Sequence, residues 1–269
     1  MPQAKVNGID LYYETQGEGD VLLLIPGLAS DINTWSPLQK GSFPYRWIAL
    51  ENRGAGRSSK PAGPYSMEMM ADDAAAVLRS LGIHTAHVIG KSMGGMIAQH
   101  LAVRHPQLVR SLVLVSTVMK HDDYGKQLLQ LGRIVARDSG LFVTLKQAYL
   151  LSYSREYCSR TQGRLAEAEA LLRQFDTREV LDGYVEQSIA CEAHDFSEFS
   201  GQVQVPACVI AGKEDLITPA QSARELAAAL PHAELHILPR GGHGVWREFP
   251  EDVNPIVERF LRECDSRTA

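Results

Sequence analysis

Residues 88–102 read VIGKSMGGMIAQHLA, and this junction organises the rest of the chain. A short β-branched run leads into a serine flanked by glycines, and the residues that follow have the apolar spacing of a helix. The pattern Gly90-Lys91-Ser92-Met93-Gly94 predicts a tight strand-to-helix turn, where glycines remove side chains that would collide. A serine in such a turn is a candidate nucleophile, and the alternative is a serine that only caps the helix. The flanking strand and helix favour the nucleophile.

Strand and helix patterns alternate on both sides of this turn. The predicted strands are Val21–Gly27, Arg46–Asn52, His87–Ile89, Ser111–Ser116, Ala207–Gly212 and Glu234–Pro239. The predicted helices are Ser66–Leu81, Met93–Arg104, Pro219–Leu230 and Pro250–Arg262. An N-terminal hairpin is predicted through Asn7-Gly8, a dipeptide favoured in two-residue turns. This alternation predicts an α/β fold, a mostly parallel central sheet with helices on both faces.

One stretch interrupts the alternation. Between residues 119 and 199 the sequence shows helical patterns without a convincing strand, at Gln127–Val135, Leu141–Leu151, Arg164–Phe175 and Glu179–Cys191. We therefore predict a helical cap inserted into the sheet domain. The predicted division is residues 1–118 and 200–269 for the two parts of the core, and residues 119–199 for the cap.

A serine nucleophile needs a base, and the base needs an orienting acid. Asp215 follows a predicted buried strand, where parallel strands present functional side chains at their carboxyl ends. Glu214 is the competing carboxylate, and a turn or cap role is the structural alternative for Asp215. His243 lies among glycines between the last strand and the last helix, where it could also be an ordinary surface residue. The chain order Ser92, Asp215, His243 is the one expected for a triad on such a sheet.

Composition excludes several classes of function. The formal charge of −5 is spread along the chain without a basic stripe, which argues against nucleic-acid binding. The chain begins without a secretory signal pattern, and no apolar run is long enough to span a bilayer. The four cysteines lack the close spacing of metal ligands. We expect a cytoplasmic protein that uses neither a metal nor a cofactor and does not bind membranes.

Taken together, the motifs LLLIPGLASDINTW, ENRGAGRSSKP, VIGKSMGGMIAQHLA, VIAGKEDLITP and GGHGVWREFPEDV resemble those of the α/β-hydrolase fold superfamily. The resemblance covers nearly the whole chain. It implies that the backbone N–H of Met93 forms half of an oxyanion hole, and by position Leu28 N–H forms the other half. Pro26-Gly27 stands where His-Gly is frequent in the family, and Glu51 stands where Asp is frequent. The replacement of His-Gly by Pro26-Gly27 would not remove the oxyanion donors, because both are backbone amides.

Three further residues are candidates for contact with substrate. Trp35 and Trp246 lie in predicted loops that lead to the catalytic edge of the sheet. Lys91 has two interpretations. Its apolar stem packs near the turn while its ammonium reaches water, or its charge lies at the mouth of the pocket and attracts an anionic substrate.

The sequence therefore predicts a serine hydrolase that cleaves a small carboxylic ester, thioester or lactone through an acyl-enzyme. Within the superfamily the motifs resemble 3-oxoadipate enol-lactonases and small methyl-ester esterases, including those that act on carrier-protein-bound substrates. The motifs do not separate this reading from carbon–carbon bond hydrolases, from acyl transfer to another acceptor, or from a low-turnover ligand sensor. Substrate identity and oligomeric state do not follow from the sequence.

Overall fold

The computed structural model describes residues 2–39, 43–161 and 177–266. They form an eight-stranded sheet in the order β1-β2-β4-β3-β5-β6-β7-β8. The strands are β1 (Gln3–Val6), β2 (Ile9–Gln16), β3 (Val21–Ile25), β4 (Arg46–Leu50), β5 (Ala86–Lys91), β6 (Val109–Val115), β7 (Ala207–Gly212) and β8 (Ala233–Leu238). From β4 to β8 neighbouring strands are parallel, and β2 pairs antiparallel with both β1 and β4. The predicted fold class is confirmed.

The N-terminal hairpin forms where the sequence predicts it. Val6 pairs with Ile9, so Asn7 and Gly8 are the two turn residues. Both have positive φ, 51° for Asn7 and 78° for Gly8. This backbone matches the right-handed twist of the strands, and asparagine and glycine adopt it at low cost.

The helices cover both faces of the sheet. They are α1 (Ser36–Gln39), α2 (Met67–Ser80), α3 (Met93–Arg104), α4 (Asp123–Ser139), α5 (Leu141–Ser152), α6 (Arg155–Arg160), α7 (Arg178–Ala193), α8 (Ala220–Ala229), α9 (Val245–Glu248) and α10 (Pro250–Ser266). Leu23 and Ile25 of β3 join the apolar core that contains α2, α3 and α8. Leu22 and Leu24 of the same strand join the core that contains α10. A strand buried on both faces explains the unbroken apolar run at this position.

Helices α4 to α7 lie between β6 and β7. The chain enters and leaves this helical insertion through an isolated antiparallel bridge between Lys120 and Asp195, supported by a hydrogen bond from Phe196 N to Met119 O. The predicted helix Arg164–Phe175 lies outside the described residues, and α6 was not predicted. The division at residues 119 and 199 stays a prediction. Within the described ranges, no helix combines the length and apolar character needed to cross a membrane.

Candidate active site

Ser92 lies in a strained turn between β5 and α3. Its φ of 54° and ψ of −122° fall in a region that non-glycine residues rarely adopt. Close packing explains the neighbouring glycines. A Cβ at Gly94 would lie 1.9 Å from the carbonyl oxygen of Ile25, and one at Gly90 would lie 2.3 Å from that of Gly94. The turn therefore fixes where the Ser92 side chain points and where α3 begins.

The Ser92 side chain faces a cavity of about 400 Å³ that His243 also lines. Within the described parts of the chain, the Ser92 hydroxyl accepts and donates no hydrogen bond, and its peptide is anchored through Ser92 N to Val115 O at 2.9 Å. Contacts between a nucleophile and its base often tighten only when substrate is bound. The arrangement leaves the hydroxyl available to a reacting group in the cavity.

Asp215 and His243 form a buried pair. The Nδ1 atom of His243 lies 3.0 Å from Asp215 Oδ2, and both side chains are at least nine-tenths buried. Asp215 also accepts hydrogen bonds from Thr218 N at 2.8 Å and from the Thr218 hydroxyl at 2.8 Å. Burial would raise the pKa of Asp215, but the interactions with His243 and Thr218 outweigh burial and lower it below its usual value. The carboxylate is therefore held ionised, as an orienting acid requires.

The loop that carries His243 is fixed by a second carboxylate, which sequence reasoning missed. Glu248, in α9, is almost fully buried and accepts a hydrogen bond from Gly242 N at 2.8 Å. It also accepts hydrogen bonds from the backbone and hydroxyl of Ser154 in the helical insertion. Gly244 N donates to Ser152 O at 2.7 Å. The loop of His243 is thereby attached to the insertion as well as to the sheet.

The sequence predicts the backbone amides of Leu28 and Met93 as donors to an oxyanion, and this role stays a prediction. Met93 is the first residue of α3, and Leu28 lies in the loop after β3 and lines the cavity. Neither amide donates to another described residue. A Cβ added to Gly27 would lie 3.7 Å from Ser92 Oγ, which shows how closely this loop approaches the nucleophile. Free N–H groups so placed can stabilise a developing oxyanion.

Gln187 positions the loop of Leu28, and no pattern in the sequence indicates this role. This fully buried side chain of α7 accepts a hydrogen bond from Ala29 N at 2.9 Å and donates to Arg53 O at 2.7 Å. Ala29 has a φ of 50°, a conformation that costs about 1 kcal/mol for a non-glycine residue. Gln187 thus holds a strained residue next to the candidate oxyanion donor.

Aromatic side chains form much of the cavity wall. Trp35 and Trp246 line it, and their rings meet edge to face with centroids 5.9 Å apart; contact with substrate stays a prediction. Tyr149 and Tyr153 contribute from the end of α5 and the turn that follows. A smaller apolar cavity of about 100 Å³ adjoins it between α4, α5 and the core. The two cavities share five lining residues, which are Leu28, Thr144, Ala148, Tyr184 and Ile217.

Lys91 also lines the main cavity, and it is half-buried. Its pKa is lowered to about 8, first by burial and then by the charge of Arg247, although Asp215 and Glu248 act in the opposite direction. Arg247, one residue beyond Trp246, lines the same cavity from its exposed side. Arg247 was not among the residues predicted from the sequence, although it directly follows Trp246, which was predicted to contact substrate.

One cluster in the described residues has ligand types that a metal could use. Cys208, Glu234 and His236 place one ligand atom each within 4.8 Å of one another. The carboxylate of Glu234 forms an ion pair with Arg259, with a distance of 2.6 Å from the guanidinium to Oε1. The three residues lie within β7 and β8, and none of them lines the cavity at Ser92. The cluster is therefore separate from the candidate active site.

Comparisons with known proteins identify the family of this chain. The family model of the alpha/beta hydrolase fold matches residues 20–246. The chain is 28% identical to a protein assigned as the carbamate hydrolase RutD of Azorhizobium caulinodans, over 98% of this chain and 100% of that protein. The enol-lactonase from Burkholderia xenovorans is 28% identical, with a TM-score of 0.87 over 97% of this chain and 100% of that chain. MGS-M2, an alpha/beta hydrolase enzyme from a Medee basin deep-sea metagenome library, has a TM-score of 0.90 at 24% identity over 97% of both chains and shares the fold. Because the family model covers most of its length, this chain belongs to the α/β-hydrolase fold family.

Proposed function

We propose that the protein is a serine hydrolase that cleaves a small carboxylic ester, thioester or lactone. The observation that carries the proposal is the buried Asp215–His243 pair at the cavity that Ser92 enters. The similarity to an enol-lactonase supports an ester or lactone as the bond cleaved.

The proposed reaction begins with acylation. The Ser92 hydroxyl oxygen attacks the substrate carbonyl carbon, and its proton passes to Nε2 of His243. Asp215 holds Nδ1 of the ring and stabilises the imidazolium without being protonated. The carbonyl oxygen becomes an oxyanion that accepts hydrogen bonds from the amides of Leu28 and Met93. When the intermediate collapses, His243 gives this proton to the leaving oxygen or sulfur, the alcohol, enol or thiol departs, and the acyl group remains on Ser92.

Deacylation repeats the sequence with water. His243 removes a proton from water, which attacks the acyl carbonyl carbon. The C–O bond to Ser92 breaks, the serine recovers its proton from His243, and the carboxylic acid is released. In a lactone the leaving oxygen stays tethered to the acid, so a single product forms.

A carbamate is the second candidate substrate, favoured by the full-length similarity to a carbamate hydrolase. The same attack by Ser92 on a carbamate carbonyl would expel an amine or an alcohol. Carbon–carbon bond hydrolysis and a sensor that acylates once are the remaining alternatives for this triad.

The test is steady-state hydrolysis of a panel of p-nitrophenyl esters, a thioester, a lactone and a carbamate, each with wild type and Ser92→Ala. We expect repeated turnover of an ester, thioester or lactone that Ser92→Ala abolishes. Turnover of the carbamate alone would show that the substrate is a carbamate and not an ester, thioester or lactone. A single burst with a retained acyl group would support the sensor and overturn the hydrolase.

A further inference from the structure

The cavity at Ser92 carries two cations and no carboxylate among its described lining residues. Lys91 lies beside the nucleophile, and Arg247 lies toward the solvent-exposed side. The Lys91 ammonium has neither a hydrogen bond nor an ion pair with another described residue. Arg247 donates one hydrogen bond, to Asn33 O at 2.5 Å. Most of the guanidinium donors and all of the ammonium donors therefore remain available to a ligand.

The nearby carboxylates do not neutralise this pair. Asp215 is engaged by His243 and Thr218, and Glu248 is engaged by Gly242 and Ser154. Neither carboxylate lines the cavity. Two like charges in a partly enclosed site repel each other, and an anion placed between them relieves this repulsion. The geometry is thus more favourable with a bound anion than without one.

We propose that Lys91 and Arg247 bind a carboxylate carried by the substrate. This rests on the proposed hydrolase function and narrows it to half-esters or lactones of dicarboxylic acids. The planar guanidinium suits the two oxygens of a carboxylate, and the ammonium supplies a point charge. The rings of Trp35 and Trp246 line the same cavity and offer an apolar path for the carbon chain between the scissile carbonyl and the carboxylate.

The charge of Lys91 predicts how recognition depends on pH. The charged groups that act on Lys91 are Arg247, Asp215 and Glu248, and the titratable side chain of His243 lines the same cavity. Because the pKa of Lys91 is about 8, its charge is present below that pH and is lost above it. Arg247 remains charged throughout this range. The preference for a carboxylate-bearing substrate therefore weakens as pH rises through about 8.

The experiment compares two substrates that differ only in the tail, mono-p-nitrophenyl glutarate and its methyl-capped diester. The measured quantity is the ratio of kcat/KM for the charged substrate to that for the capped one. This ratio cancels the titration of groups that both reactions share, including the base. Variants are Lys91→Met, Arg247→Gln and Lys91→Arg, with Lys5→Met as the control. Lys5 is exposed on β1, at the far edge of the sheet.

We expect wild type to prefer the charged substrate, and Lys91→Met and Arg247→Gln each to lower the ratio roughly ten- to hundredfold, mainly through KM. Lys91→Arg keeps the preference and removes its decline above pH 8, whereas Lys5→Met leaves the ratio unchanged. A wild-type ratio near one, or equal losses on both substrates in Lys91→Met, would overturn the carboxylate site. Such a result leaves the hydrolase intact if Ser92→Ala still abolishes hydrolysis of the capped ester.

A binding measurement keeps the test independent of turnover. Monomethyl glutarate is titrated into Ser92→Ala and into Ser92→Ala with Lys91→Met, and the heat of binding is recorded at pH 7 and pH 9. We expect binding to Ser92→Ala that weakens at pH 9 and is lost with the second substitution. Equal binding to both proteins would contradict the proposal even if no ester were hydrolysed.

Discussion

Replacing Gln187 by leucine tests how the oxyanion loop is held. Leucine has a similar volume but cannot accept from Ala29 N or donate to Arg53 O. Each backbone group left unpaired costs about 1–3 kcal/mol, so the free energy of unfolding falls by about 2–6 kcal/mol. The released Ala29 relaxes from its positive φ and displaces the neighbouring Leu28 amide. Since this amide is a proposed donor to the oxyanion of the transition state, we expect kcat to fall up to about 100-fold with little change in KM.

The assay pairs urea unfolding with steady-state hydrolysis of the best ester in the panel. Gln99→Leu is the matched control, because Gln99 is also fully buried but donates to Val118 O, away from the cavity. It is expected to lose stability and keep kcat. If Gln187→Leu loses stability but keeps its kcat, then the inference that Gln187 positions the Leu28 amide is wrong.

Three other results are expected. Glu248→Gln replaces one of the two carboxylate oxygens by an amide NH2 group, so either Gly242 N or Ser154 loses its acceptor; urea unfolding then shows a loss of about 1–3 kcal/mol, and hydrolysis slows. The folded pKa of Asp215 is below its unfolded value of about 3.9, so the stabilisation by its carboxylate is complete above that pH and is lost as pH falls through the folded pKa. The free energy of unfolding of Asp215→Asn, measured between pH 2 and pH 6, is therefore expected to lack this pH-dependent decrease. Leu128→Trp fills the smaller apolar cavity, so kcat/KM falls more for long acyl esters than for the acetate.

The turn at Ser92 was predictable because its causes are local. A side chain at Gly90 or Gly94 would collide with the backbone of the turn and the neighbouring strand, so the spacing of these glycines indicates the turn in the sequence. Asp215 and His243 were placed by the order of strands in a parallel sheet, where carboxyl ends meet at one edge. The structure brings His243 to the wall of the cavity that Ser92 lines, with Asp215 paired to it at 3.0 Å, and their catalytic roles stay a prediction.

The supporting residues could not be found from sequence patterns. Gln187 and Ala29 are 158 positions apart, and nothing in a helix of the insertion marks one glutamine as a partner of a distant loop. Glu248 resembles an ordinary exposed glutamate in the sequence, yet it bonds to Ser154, which lies 94 positions earlier. The Ser154 hydroxyl also accepts a hydrogen bond from Tyr157 N and so caps the start of α6. Such contacts depend on how the insertion packs against the core.

Covalent labelling of Ser92 tests the central claim most directly. A fluorophosphonate is incubated with wild type, Ser92→Ala and His243→Ala, and the labelled peptide is identified by mass spectrometry. Attack by the serine oxygen on phosphorus displaces fluoride and leaves a stable adduct. The account predicts one adduct on Ser92 in wild type, none in Ser92→Ala and strongly slowed labelling in His243→Ala. Labelling at another residue, or equal rates in wild type and His243→Ala, would contradict it.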